Sequence, residues 1–242
     1  MVELGQIALI LSFMMATYST VVGFAGGMLN GRDLAASARW GFYSICPLLI
    51  LATASLIYAF VTNDFSVKYV AENSNIAMPK IYSWVAFYSG NAGSLLYIAV
   101  AFSVMAGITI RILNSKLPYT SPYALGVMSM VLLFFLAVIL FLANPLDRHE
   151  IALEDGQGMN PLLIHFGMFI HPPFQMLGLI SVALPFSIAI GALLAGRGGR
   201  DEWVDQGRLW GMVSWLLLTT GLLLGAWWAY TILGWGGYWA WD

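Results

Sequence analysis

The sequence predicts an all-α, polytopic helical membrane protein, and three observations carry that prediction. Of the 242 residues, 60% are hydrophobic and only 9% are charged, whereas soluble domains carry roughly 25% charged residues. Mean hydropathy is +0.80. The apolar residues fall into six runs of at least about 20 residues, long enough to cross a hydrocarbon core about 30 Å thick, and the few charges lie between them.

The runs cover about residues 5–29, 40–62, 91–113, 122–143, 172–195 and 209–232 of a single transmembrane domain. Before the first run, Met1 to Leu4 includes Glu3 but no Lys or Arg. The basic start of a cleavable signal is missing, so this span is expected to be retained, with its N-terminus outside. The second run holds the only cysteine, Cys46, beside Pro47. This excludes an internal disulfide, a Cys-rich metal site and a C-x-x-C-H haem attachment motif. The third and fourth runs are joined by a short loop after Lys116. Ahead of the fifth, Asn160 and Pro161 form a helix start signal. A short, mostly apolar helix is expected there, lying at the outer interface. Pro172 and Pro173 disfavour its continuation, which predicts a break at His171 and a new span beginning at the prolines. Pro185 is expected to kink that span. The sixth run leads into a C-terminus dense in tryptophan.

Orientation follows from the cations, which are enriched in cytoplasmic loops. Arg32, Arg39, Arg111, Lys116, Arg197, Arg200 and Arg208 fall in or beside the first, third and fifth loops. Lys68, Lys80 and Arg148 share the second and fourth loops with Asp64, Glu72, Asp147, Glu150, Glu154 and Asp155. The second and fourth loops and the C-terminus are therefore expected outside. A net charge of −2 leaves no positive groove for nucleic acid.

Two features stand out on the expected outer side. His171 sits where a helix junction is expected, and such an imidazole either snorkels to the headgroups or serves as a ligand. His165, six residues earlier, falls about 240° away on an ideal helix, so the two are expected on different faces and not on one metal. His149 is read as solvated. The second feature is the segment from Trp227 to Asp242, which holds five of the ten tryptophans. Trp227, Trp228 and Tyr230 suit an interfacial belt. Beyond them, Gly234, Gly236 and Gly237 loosen the backbone among Trp235, Tyr238, Trp239 and Trp241, as an aromatic platform for a flat ligand requires. The last two spans form an antiparallel hairpin, which brings both features to one membrane face. A histidine and an aromatic shelf together suggest a porphyrin.

Trp235-Gly236-Gly237-Tyr238-Trp239-Ala240-Trp241-Asp242 resembles the W-G-x-x-W-x-W-D signature of the haem-handling proteins of cytochrome c maturation. Asn160-Pro161-Leu162-Leu163 followed by Ile170-His171-Pro172-Pro173 resembles the CcmF/NrfE branch of that family, as does Gly93-Ser94-Leu95-Leu96, although Ser89 and Ala92 replace a usual Gly and Glu. The resemblance implies a haem lyase subunit in the inner membrane, with lipid around it and its haem-handling segment on the periplasmic face. It would receive haem b, held non-covalently and transiently, from a CcmE-like chaperone. Its other partners would be a CcmH-like subunit that binds apocytochrome, apocytochrome c itself and the remaining C-terminal part of a CcmF-like protein. His171 would be an axial iron ligand, and Trp235, Gly236, Gly237, Trp239, Trp241 and Asp242 would present the haem. No catalytic acid, base or nucleophile of this chain is implied. The resemblance also implies an N-terminal part or split subunit that ends within the signature, with the second axial histidine elsewhere. Competing readings are a haem or small-molecule transporter, which predicts polar residues along an intramembrane path, an electron-transfer cytochrome, and a structural role in which the aromatics are anchors.

Overall fold

The structure is a computed structural model of the protein, and it describes residues 1–232. Among these residues the fold is helical, with one isolated antiparallel bridge between Val67 and Arg148. The helices are α1 (Val2–Met28), α2 (Arg32–Val61), α3 (Lys68–Asn73), α4 (Asn91–Lys116), α5 (Ser121–Phe141), α6 (Gly167–Ser181), α7 (Ala183–Leu194) and α8 (Glu202–Ile232). With α6 and α7 taken as one interrupted unit, six are long and apolar enough to cross a membrane. Helices α1, α2, α4 and α5 pack together, α6 lies on α8 and α4, and α7 lies on α5 and α8.

The apolar runs mark the spans but not their ends. Helix α2 begins at Arg32 instead of about residue 40, and its 30 residues extend about 45 Å at 1.5 Å per residue. That exceeds the bilayer core, so the first turns, with Arg32 and Asp33, reach polar surroundings. Helix α8 likewise begins at Glu202.

The largest departure surrounds the paired prolines. The expected interfacial helix is a single 3-10 turn, Pro161–Leu163, capped by the Asn160 side chain, which accepts from the Leu162 N–H at 3.0 Å. The span starts at Gly167, so Pro172, Pro173 and His171 all lie within α6 and not at its junction. Pro172 lacks the N–H that would bond to the Met168 carbonyl one turn back. The Tyr88 hydroxyl donates to that carbonyl instead, at 3.1 Å. Burial raises the Tyr88 phenol well above its ordinary value, with Tyr97 adding to the effect, so it keeps the proton it donates. Near Pro185, where a kink is expected, the helix is divided by one residue: α6 ends at Ser181 and α7 begins at Ala183.

The second and fourth loops form a folded cap over one end of the helices. Lys68 N–H donates to Asp147 O at 2.9 Å and His149 N–H to Ser66 O at 2.8 Å. Gln157 N–H reaches Ala71 O at 2.7 Å, and Ile76 N–H reaches the Asp155 carboxylate at 2.9 Å. Val67, Val70 and Ala71 bury their side chains beneath. The buried Tyr69 hydroxyl ties α3 to the corner before α4. It lies 3.0 Å from Phe87 O and 3.1 Å from Gly90 O, and accepts from Gly90 N–H at 2.8 Å.

Tyr69→Phe leaves the Gly90 N–H without this partner and is expected to cost about 1–3 kcal/mol, seen as a lower melting temperature in detergent. Burial pushes the Tyr69 phenol up from 10.0 to about 12. Its contribution is therefore full below the unfolded value and lost as pH rises through the folded one. Wild type should lose stability over that alkaline interval more steeply than Tyr69→Phe.

Candidate functional site

The site forms where α6 crosses α8. Gly221 and Gly225 lie one turn apart on the face of α8 turned to α6: the first lets the α6 backbone at Gln175 approach, and the second makes room for the His171 imidazole. A Cβ at Gly225 would stand 2.5 Å from His171 Cε1 and 2.8 Å from Nδ1. The same close approach continues deeper, where a Cβ at Gly178 would stand 2.5 Å from the Leu218 nitrogen. Small residues at such crossings let membrane helices meet without hydrophobic driving force between them.

His171 Nδ1 lies 2.9 Å from the Gly221 carbonyl oxygen. A carbonyl only accepts, so in the neutral ring Nδ1 carries the hydrogen and Nε2 carries the lone pair. No hydrogen bond engages Nε2 among the described residues. A ring held through Nδ1 by a backbone carbonyl, with Nε2 unoccupied, has the arrangement of a metal-ligating histidine with its orienting partner.

His165 has the opposite arrangement. Its Nδ1 accepts from the Gly167 N–H at 3.0 Å, which puts the hydrogen of the neutral ring on Nε2. His165 precedes α6, so the angular separation of an ideal helix does not apply, and the two histidines converge on one tryptophan. The His165 ring stacks on Trp228 at 6.2 Å and 17°, and the His171 ring meets Trp228 edge-on at 5.7 Å and 69°. Trp227 lies 5.5 Å from His165. His171 thus offers a lone pair and His165 a hydrogen-bond donor, with both rings against Trp228. One turn along α6 from His171, the buried Gln175 Oε1 has no partner among the described residues.

The remaining expected site residues separate into two groups. Trp235, Gly236, Gly237, Trp239, Trp241 and Asp242 lie outside the described residues. Of the cations on the His171 side, Arg148 sits 3.7 Å from Glu3, whereas Lys68 and Lys80 are exposed. Among the described residues no cluster of three or more His, Cys, Asp or Glu side chains is placed to hold a metal ion. Sequence reasoning passed over Gly221 and Gly225, although their G-x-x-x-G spacing in an apolar run is a known signal for close helix packing. Tyr88 carried no signal, because its role depends on a contact across 80 positions of chain.

The family model described as Cytochrome C assembly protein matches residues 88–242. The cytochrome c-type biogenesis protein CcmF of Pseudomonas fluorescens is 39% identical over 247 residues, an alignment covering 99% of this chain and 36% of that protein. NrfE of Haemophilus influenzae, also a cytochrome c-type biogenesis protein, is 34% identical over 242 residues, covering 99% of this chain and 38% of that protein. The solved structure titled Cytochrome c Heme Lyase CcmF superposes with a TM-score of 0.83 at 25% identity, over 100% of this chain and 38% of that one. The chain thus spans somewhat more than a third of the length of the relatives it matches.

Gly225→Ala is expected to separate α6 from α8 and destabilise the protein by about 1–3 kcal/mol, read as a fall in melting temperature. Gly211→Ala, on the same helix but with nothing within 4 Å of an added Cβ, should leave stability unchanged or slightly raised.

Proposed function

This chain belongs to the cytochrome c assembly protein family, and from that premise we propose that it holds haem for attachment to apocytochrome c, as part of a haem lyase. Haem b is bound non-covalently and transiently, with His171 Nε2 as one axial ligand to its iron. The observation that carries the reading is the bond from His171 Nδ1 to the Gly221 carbonyl, which leaves the ligating nitrogen with its lone pair.

The described donor set suits such a cargo. It offers one oriented imidazole and an indole face, without the oxygen-rich cage a hard cation needs. The tryptophan-rich sequence from Trp235 to Asp242 is assigned the presentation of haem in this reading, as the family signature implies. The His165 Nε2–H suits a haem propionate, as do Lys68 and Lys80. Haem supplies the vinyl groups. An apocytochrome thiol adds across each of them, its sulfur bonding one carbon and its hydrogen going to the neighbouring one, with no net oxidation. This chain's share is orientation: thiol and vinyl must meet in one geometry, and a ligated iron restricts how the ring sits. Cys46 lies within α2 and supplies no thiol to this chemistry.

The His171 end of the bundle faces the periplasm in this reading, because most of the cations lie at the other end. Partners are a CcmE-like haem chaperone, a CcmH-like subunit that presents apocytochrome, and the remaining C-terminal part of a CcmF-like protein, which brings the second axial ligand.

His171→Ala, made in the protein as it occurs in its membrane complex, should lower haem content and cytochrome c yield about tenfold or more. His171→Gly with added imidazole should restore the Soret band. Unchanged haem content in His171→Ala overturns the ligand assignment.

A further inference from the structure

A cavity of about 690 Å³ opens at the end of the bundle opposite His171, between the α1–α2 turn, the last turn of α4 and the start of α5. Asn30 holds the turn open in a left-handed conformation, with φ of 51°. Arg32 and Arg39 line the cavity together with Asn30, Asn114 and Tyr119. The half-buried Arg39 donates through Nη1 to the Asn114 side-chain oxygen at 2.5 Å. That oxygen belongs to a neutral amide, so it aims the guanidinium without compensating its charge. Neither Arg32 nor Arg39 forms an ion pair among the described residues. Asp33, exposed at the rim, is the one carboxylate of the lining, and two guanidiniums outweigh it. A third guanidinium, from Arg197, stacks on the Tyr119 ring at 4.5 Å.

An uncompensated, pre-aimed arginine in a polar cavity is an anion site, and arginine's planar fork suits phosphate oxygens. The surroundings of the cavity narrow the anion. Met28, Leu29 and Trp40 are exposed beside it, at the ends of spans where lipid headgroups give way to acyl chains. A tryptophan is favoured at that depth. A ligand matching both halves carries one phosphate charge and apolar tails.

We infer that this cavity binds the phosphodiester of an anionic membrane phospholipid, held by Arg39 and Arg32, with its acyl chains against Met28, Leu29 and Trp40. The site is independent of the haem assignment. Its place on the arginine-rich end predicts a lipid of the leaflet that faces this end.

The test uses the complete protein in detergent, stripped of lipid and then supplied with phosphatidylglycerol, diacylglycerol or inorganic phosphate. Bound lipid is counted by native mass spectrometry, and protection is read as melting temperature. Phosphatidylglycerol should bind and protect, whereas diacylglycerol and inorganic phosphate should not. Arg39→Gln and Arg32→Gln should each weaken phosphatidylglycerol binding about tenfold, and Arg200→Gln, outside the cavity, should leave it unchanged. Arg32 is exposed, so its variant remains informative if Arg39→Gln folds poorly. Equal protection by diacylglycerol overturns phosphate recognition, and equal protection by inorganic phosphate overturns the lipid. Wild-type binding in both arginine variants, or equal loss in Arg200→Gln, overturns the site.

Discussion

The hydrogen bond between the His171 imidazole and the Gly221 carbonyl ties α6 to α8 and draws together the other polar contacts at this end of the bundle. It requires a side chain of α6 to touch the main chain of α8, which only a glycine-lined crossing permits. It also requires His171 to sit on a regular helix while two prolines follow it. The Met168 carbonyl vacated by Pro172 is therefore bonded by Tyr88. Tyr88 is positioned by the corner ahead of α4, which the Tyr69 hydroxyl closes. A chain of contacts thus runs from Tyr69 of α3 to the His171 ring.

Relative magnitudes explain why this polar chain outweighs more visible charges. A carbonyl left unbonded in apolar surroundings costs several kcal/mol. The Arg148–Glu3 pair, with side chains 43% and 86% exposed, contributes about 0–1 kcal/mol because water and salt screen it. Stability at this end of the bundle accordingly resides in buried hydroxyls and close helix contact. Those two features also determine where the imidazole points. The fold and the proposed ligand geometry have one physical origin here.

Much of the architecture was legible because membrane spans depend on a property that any local window contains: enough apolar length to cross the bilayer. Six helices long and apolar enough to cross a membrane match the six runs read on that basis, and the Asn160 cap was legible from its own local signal, Asn followed by Pro. Features depending on distant partners were not legible. The prolines read as a break at His171 because the donor that repairs them is Tyr88, far back in the chain. His165 and His171 seemed to face apart because helix geometry was extended past the start of α6 at Gly167. Their meeting at Trp228 depends on the register of α8, which no local pattern encodes. The folded cap was hidden for the same reason, since its two loops pair across long separations. The tryptophan signature was plain in the sequence, and Trp235 to Asp242 lie beyond the described residues.

The most direct measurement is the nitrogen-15 spectrum of histidine-labelled protein in lipid bilayers, with His171 assigned through its loss in a substituted variant. The expected result is a hydrogen on Nδ1 and a bare Nε2 in the haem-free protein, with the Nε2 resonance showing the largest change when haem is supplied. A hydrogen on Nε2, or a haem-induced change confined to Nδ1, would contradict it.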